Sequence, residues 1–346
     1  MTRTKINFLF FLMITCSGFL FESCVYDYPE YEWIPQSITL NIKTDADWLS
    51  DIEIPYTKSG SENIGFQYTI KIYPSGSQTK PVKELTIYQE GLNNNEISTS
   101  LNLTPGNYDV RVWADVCDMS DHKSLFYDDS DFAAITYLSP YQGNTNLKDA
   151  FIGFATLTIP ESCEQENIRK DITLSRPLAR FKFISTDVDA FIEKQVKEGK
   201  IPTSSENLAS SDNLASQYQP FYDELSLYSV RVIYPLYIPS AFNIFQDKPV
   251  NSLTGISFIG NVSVLNSEEA LLGFDYVMTG NNSTSVQLAL EIYDAQNKLV
   301  SSIGTLNIPI EKNHTTIVYG NFLTTLRNDG VSVNPDFEGE YNIEIK

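Results

Sequence analysis

Ser98-Thr99-Ser100-Leu101-Asn102-Leu103 and Tyr108-Asp109-Val110-Arg111-Val112-Trp113 alternate polar and apolar residues, and Thr104-Pro105-Gly106-Asn107 stands between them. A period of two puts successive side chains on opposite faces of a strand, which suits a sheet with one buried face. The Pro-Gly step is turn chemistry, so the stretch predicts a β-hairpin. The same texture recurs at residues 37–42, at 66–73 before Pro74-Ser75-Gly76, and at 85–88, 151–159, 172–174 and 178–184. It continues at 226–236, 254–264, 271–278, 285–293, 305–310, 315–325 and 341–345. Short strands at roughly 8–12-residue spacing argue for an all-β sandwich architecture.

Length sets the number of cores. Without residues 1–23 the chain keeps 323 residues, too many for one core and suited to two domains. Arg176-Pro177 interrupts the strand pattern, and a proline there fits a strand start or an edge. The boundary is placed near 171–176, giving an N-terminal sandwich over 37–173 and a C-terminal one over 174–346. One helix is predicted in the second. Asp187 can cap it, Val188, Phe191, Ile192 and Val196 form one face, and Gly199 can stop it. Residues 115–149 are acidic, aromatic and poor in alternation, and read as a long ordered loop. Residues 200–220 are polar, with Asn-Leu-Ala-Ser at 207–210 and 213–216, and read as a mobile excursion.

The N-terminus predicts export. Arg3 and Lys5 precede an apolar run from Ile6 to Leu20, which is short for a spanning helix. Leu20-Phe21-Glu22-Ser23-Cys24 then resembles a bacterial lipobox, with Glu22 where a small apolar residue is usual. On this reading residues 1–23 are a signal peptide, Cys24 is acylated, and 24–36 are a tether. Ordinary signal cleavage or a retained apolar anchor are the alternatives. The net charge of −20 disfavours nucleic acid and anionic lipid headgroups as partners, so any membrane attachment would run through the lipid.

Candidate chemistry is sparse. Cys117 and Cys163 remain in the exported chain and could bridge, closing a loop worth roughly 4 kcal/mol, or stand as separate thiols. His122 and His314 are far apart and belong to no metal or catalytic motif, and neither a nucleophile elbow nor a phosphate loop is present. The chain therefore reads as non-enzymatic and without a cofactor. Asp115, Asp118 and Asp121, with Asp128, Asp129 and Asp131, supply hard oxygen ligands that suit calcium, although their spacing is not that of an EF-hand. Trp113, Phe126, Tyr127, Tyr137 and Tyr141 accompany them. Aromatic faces beside carboxylates can form a sugar or protein contact surface, or simply pack the loop onto the first sandwich.

Several short motifs follow one another in a specific order. They are Arg111-Val112-Trp113-Ala114-Asp115, Lys148-Asp149-Ala150-Phe151, Leu174-Ser175-Arg176-Pro177-Leu178-Ala179-Arg180 and Tyr234-Pro235-Leu236-Tyr237-Ile238-Pro239-Ser240-Ala241-Phe242-Asn243. The segments 313–324 and 337–345 complete the order. Together they resemble an uncharacterised Bacteroidales lipoprotein family, similar in layout to the FimB/Mfa-type minor fimbrial subunits of type V pili. The resemblance covers essentially the whole exported chain. It implies two tandem transthyretin-like (Greek-key) sandwiches, an outer-membrane lipid anchor facing the periplasm or the exterior, and partners among other fimbrial subunits. It implies no catalytic residues.

Shaft subunits of such systems resemble precursors cut at an arginine to release the first strand. No arginine lies between Cys24 and Arg111, which favours an anchor or accessory subunit, although Lys43 and Lys58 could serve another protease. Tyr341, Ile343 and Ile345 alternate at the C-terminus. They mark a candidate donor strand, or the last strand of the chain's own second sandwich. The rival function is a glycan-binding surface lipoprotein using Trp113, Tyr137, Tyr141 and nearby carboxylates.

Overall fold

The structure, a computed structural model, describes residues 35–44, 63–92, 96–161, 168–199, 221–324 and 341–345. The predicted signal, Cys24, Cys163 and the 200–220 excursion lie outside these residues.

The first half contributes β1 (Gln36–Thr44), β2 (Ile64–Pro74), β3 (Lys83–Glu90), β4 (Glu96–Leu103), β5 (Gly106–Asp118), β6 (Lys123–Ser124), β7 (Tyr127–Asp128), β8 (Ile135–Tyr137), β9 (Ala150–Ile159) and β10 (Ile168–Leu174). One sheet runs β10-β1-β4, and the other runs β3-β2-β5 with β6 and β9 also paired to β5. Ile38, Leu40 and Ile42 of β1 meet Phe66, Tyr68 and Ile70 of β2 and Val110 and Val112 of β5 in one core, so the two sheets form a sandwich. Gly153 of β9 allows the sheets to close, because a Cβ there would stand 2.4 Å from Leu174 Cδ2 and 2.8 Å from Ile172 Cγ2.

The predicted hairpin at 98–113 is not one. β4 pairs with β1, whereas β5 pairs with β2 and β9, so the Pro-Gly link carries the chain from one sheet to the other. Ile97, Leu101 and Leu103 enter the core from one side, and Tyr108, Val110 and Val112 enter it from the other. Gly106 turns the corner at φ 153°, and the Tyr108 hydroxyl donates to the Thr104 carbonyl at 2.9 Å. Alternation fixed the two strands but says nothing of which sheet each joins.

The second half contributes β11 (Leu178–Ser185), α1 (Val188–Lys197), β12 (Ser229–Ile233), β13 (Tyr237–Asn243), β14 (Lys248–Thr254), β15 (Ser257–Asn261), β16 (Ser263–Val264), β17 (Ala270–Met278), β18 (Thr284–Tyr293), β19 (Leu299–Ile310), β20 (Thr315–Gly320) and β21 (Tyr341–Ile345). The sheets β16-β17-β11-β20-β21 and β15-β12-β18-β19 enclose a second core, to which α1 adds Val188, Phe191 and Ile192. The all-β class, with the predicted helix in the second half, is what the structure shows. Asp187 stands at the N-terminus of α1 but makes no side-chain cap. Its carboxylate instead accepts from the backbone N–H of Leu323 (3.3 Å) and Thr324 (2.7 Å), fastening the turn after β20.

The segment read as a loop, 115–149, completes β5 and then adds β6, β7, β8 and a 3-10 turn at Asn146–Lys148. β7 and β8 join β13 and β14 in a sheet of order β14-β13-β8-β7, built from both halves of the chain. A third core lies beneath it, where Trp113, Phe132 and Ile135 pack with Leu178, Phe242, Phe274 and Met278. β17 is buried along its whole length because it feeds the second core through Leu272 and Val277 and the third through Phe274 and Tyr276.

Candidate functional site

The predicted aromatic and acidic residues fall in two places. Trp113 is fully buried on β5. Its ring meets Tyr127 edge-on at 5.2 Å, and the contacts continue through Tyr137 (5.6 Å), Tyr141 (5.2 Å) and Tyr234 (6.1 Å). The Tyr127–Tyr137 rings are tilted by 36°, and the other three contacts are edge-to-face, a favourable geometry at these separations. The chain of rings therefore crosses the seam between the two halves.

Lys148 sits inside this chain. Its Nζ lies 3.9 Å from the Tyr141 ring centroid and 4.6 Å from that of Tyr137, and 2.7 Å from Asp275 Oδ1 on β17. The side chains of Lys148 and Asp275 are 1% and 0% exposed. Asp275 Oδ2 accepts from the hydroxyls of Tyr141 (2.6 Å) and Tyr234 (2.7 Å), while Tyr127 donates to the Lys148 carbonyl at 2.5 Å. Burial lowers the Lys148 pKa against the pull of Asp275. Burial, and then the Asp275 charge, push the Tyr141 and Tyr234 phenols well above their ordinary range. A buried ion pair adds little net stability over an apolar contact, but an unpaired half is costly, so the pair specifies how the halves dock. The adjoining void of about 10 Å³ leaves room for no more than roughly one water. Trp113, Tyr137 and Tyr141 thus pack the seam, and Trp113 offers no open stacking face.

A second ion pair guards the link between the cores. Asp149 takes a forked contact from Arg176, with Nε at 2.7 Å from Oδ1 and Nη2 at 2.7 Å from Oδ2, and Arg176 Nη1 donates to Asn313 Oδ1 at 3.0 Å. Bidentate guanidinium contacts of this kind are both strong and directional.

The three aspartates of the calcium expectation are not gathered. Asp115 is fully buried and accepts from Gln67 Nε2 at 2.9 Å and from the Ser124 hydroxyl. Desolvation pushes its pKa up to about 8 against those two hydrogen bonds. Asp118 instead accepts from the Ser120 N–H, and Asp121 pairs with Lys123 at 2.9 Å. Among the described residues no three His, Cys, Asp or Glu side chains are grouped as a metal would need. Cys117 is a free, buried thiol whose pKa burial raises to about 12, and the partner suggested for it, Cys163, lies outside the described residues. Of the histidines, His314 Nδ1 lies 2.8 Å from the Lys312 carbonyl, and His122 stacks on Tyr88 at 4.3 Å.

Nothing in the sequence analysis marks Lys148, Asp275 or Tyr234 as a site residue. A signal existed for one of them: Asp275 is the sole charge in the apolar run Leu271-Leu272-Gly273-Phe274-Asp275-Tyr276-Val277-Met278, where a charge demands a partner.

The C-terminal candidate, β21, lies in its own sheet. It pairs in parallel with β20, from Thr316 opposite Tyr341 to Gly320 opposite Ile345, and ends the strand order. No described helix is long and apolar enough to cross a membrane.

The chain belongs to the family of unknown function DUF6562, whose family model matches residues 34–346. A comparison with curated proteins gave no match. Among solved structures, a Bacteroides ovatus protein provisionally named an adhesin shares 12% identity over 79% of this chain and 78% of its own, at TM-score 0.43. The fimbrial anchor protein Mfa2 from Porphyromonas gingivalis shares 8% over 78% and 82%, at 0.40. A fimbrial assembly protein from Parabacteroides distasonis shares 11% over 83% and 91%, at 0.38.

Proposed function

We propose that this member of the DUF6562 family is a non-enzymatic lipoprotein, held on the outer membrane through Cys24, that acts as an anchor or accessory subunit of a fimbrium. The observation that carries the reading is the place of β1. This first strand lies between β10 and β4, in register with both, and its Ile38, Leu40 and Ile42 are fully buried. Its removal would split the sheet and open the core. A segment so embedded leaves only if the chain is cut after it, so an uncut chain keeps its tether, as a permanent anchor requires. The arginine-free stretch before Arg111 supports the same reading.

Contact with other subunits is assigned to β21. Its second edge is unpaired among the described residues, and an exposed row of N–H and C=O groups accepts another strand. The test is a photo-crosslinking residue at Asn342 in the native host, with labelled fatty acid supplied. The expected result is label on the wild-type chain but not on Cys24→Ala, and an adduct with a fimbrial subunit. An exported, acylated chain that crosslinks to no fimbrial subunit overturns the role. The glycan reading through Trp113, Tyr137 and Tyr141 loses its support, because those rings are committed to the seam.

A further inference from the structure

A second aromatic and acidic surface lies on the outer face of the first sandwich, away from the seam pair. Cross-strand pairs of β2 and β3 make its floor, Gln67 opposite Tyr88 and Thr69 opposite Thr86, with Lys71 opposite Glu84 at one end. The segment from His122 to Ser130 forms the wall of a groove of about 420 Å³. That volume falls in the range of small-molecule sites, roughly 300–1,000 Å³, yet the lining is polar where such sites are mostly apolar.

We propose that this groove binds a neutral saccharide. The first reason is a flat ring platform. His122 is held at φ 56°, a left-handed conformation uncommon for a residue other than glycine, and its imidazole lies on the Tyr88 ring with 29° between the planes. Such a platform matches the C–H face of a pyranose. The second is an unmet acceptor. Thr69 hydrogen-bonds the Asp129 carboxyl, but its Oδ2 is buried without a partner, and burial raises the pKa of the carboxyl. A sugar hydroxyl that reaches it supplies the missing donor, and the Thr86 hydroxyl, also on the groove lining, can give or take a further bond. The third is charge. Glu84, Asp128 and Asp129 line the groove against one cation, Lys123, which pairs with Asp121 (2.9 Å), and the neighbouring Lys71 is held by Glu84 (3.3 Å) and the Ser130 carbonyl (2.6 Å), so the net acidic lining repels an anionic sugar. A basic peptide would use the carboxylates and stack on the same ring, so tetralysine is the comparator that separates the two.

The experiment is isothermal titration of the whole exported chain with gluco-, manno- and galacto-configured tetrasaccharides, using tetragalacturonate and tetralysine as comparators. The expected result is binding of at least one neutral tetrasaccharide with Kd near or below roughly 1 mM, weakened about tenfold or more by Tyr88→Ala and by Asp128→Asn. Tetragalacturonate is expected not to bind. The assignment is overturned if none of the neutral sugars binds, if both variants bind as the wild type does, or if tetralysine alone binds, which makes the groove a protein contact. The fimbrial reading does not depend on the result.

Discussion

Lys148 Nζ stands 2.7 Å from Asp275 Oδ1 across 127 residues of chain, with one partner in each half and neither reached by solvent. Two aromatic rings, two phenol hydroxyls and the Tyr276 backbone N–H (2.8 Å from Asp275 Oδ1) surround this pair.

Breaking that pair from one side strands a charge in the seam. Lys148→Met is expected to destabilise the chain by about 3–5 kcal/mol, and Lys148→Met combined with Asp275→Leu to restore much of the loss. Urea unfolding of the three proteins measures both. A single variant costing less than about 1 kcal/mol would show that water or rearrangement relieves the charge.

Asp115 makes stability depend on pH. Its carboxyl titrates at about 8 in the fold, against an ordinary value of 3.8. Between those values the folded chain holds a proton that the unfolded chain has released. The contribution of this group is therefore full at acid pH and is lost as pH rises toward about 8, with a slope of at most about 1.4 kcal/mol per pH unit. Urea midpoints from about pH 5 to about pH 8 should fall more steeply for the wild type than for Asp115→Asn. Parallel curves would remove the claim.

Arg176 carries a fork that lysine cannot copy. Arg176→Lys should lose the second contact to Asp149 and the bond to Asn313, at a cost of about 1.5–3 kcal/mol. Limited proteolysis should also cut more readily near the Ser175-Arg176-Pro177 link. Unchanged cleavage and an unchanged urea midpoint would make the fork dispensable.

Cys117 is expected to resist thiol reagents in the folded chain and to react fully once unfolded, because its thiol is buried and held protonated. Mass spectrometry without reductant checks this in one step. A Cys117 peptide recovered in disulfide with Cys163 would contradict it.

Much of the fold was legible because its signals are local. β2, β9 and β17 follow from period-two or continuous apolar runs, and α1 from the spacing of Val188, Phe191 and Ile192. Pairing was not legible, since residues 98–113 alternate equally well as a hairpin or as a crossing between sheets. Asp187 has the chemistry of a cap, yet its partners are Leu323 and Thr324, more than a hundred residues away. The seam failed for the same reason. Tyr137 and Tyr141 look like a contact surface until β13 and Asp275 are brought against them, and nothing near them in the chain announces that.

The parallel pairs at the two ends of the fold bear on how the chain carries mechanical load. β1 enters from the N-terminus and runs beside β10, whose far end leads into the second half, over seven rungs from Ile38 opposite Ile168 to Thr44 opposite Leu174. β11 enters that half beside β20, and β20 runs beside β21, where the chain leaves. Pulling the two termini apart draws the strands of each parallel pair in opposite directions along their length. All rungs of a pair then bear the tension together, in shear, instead of opening one at a time from an end. Force applied along this path meets the ladders in the direction in which they resist best.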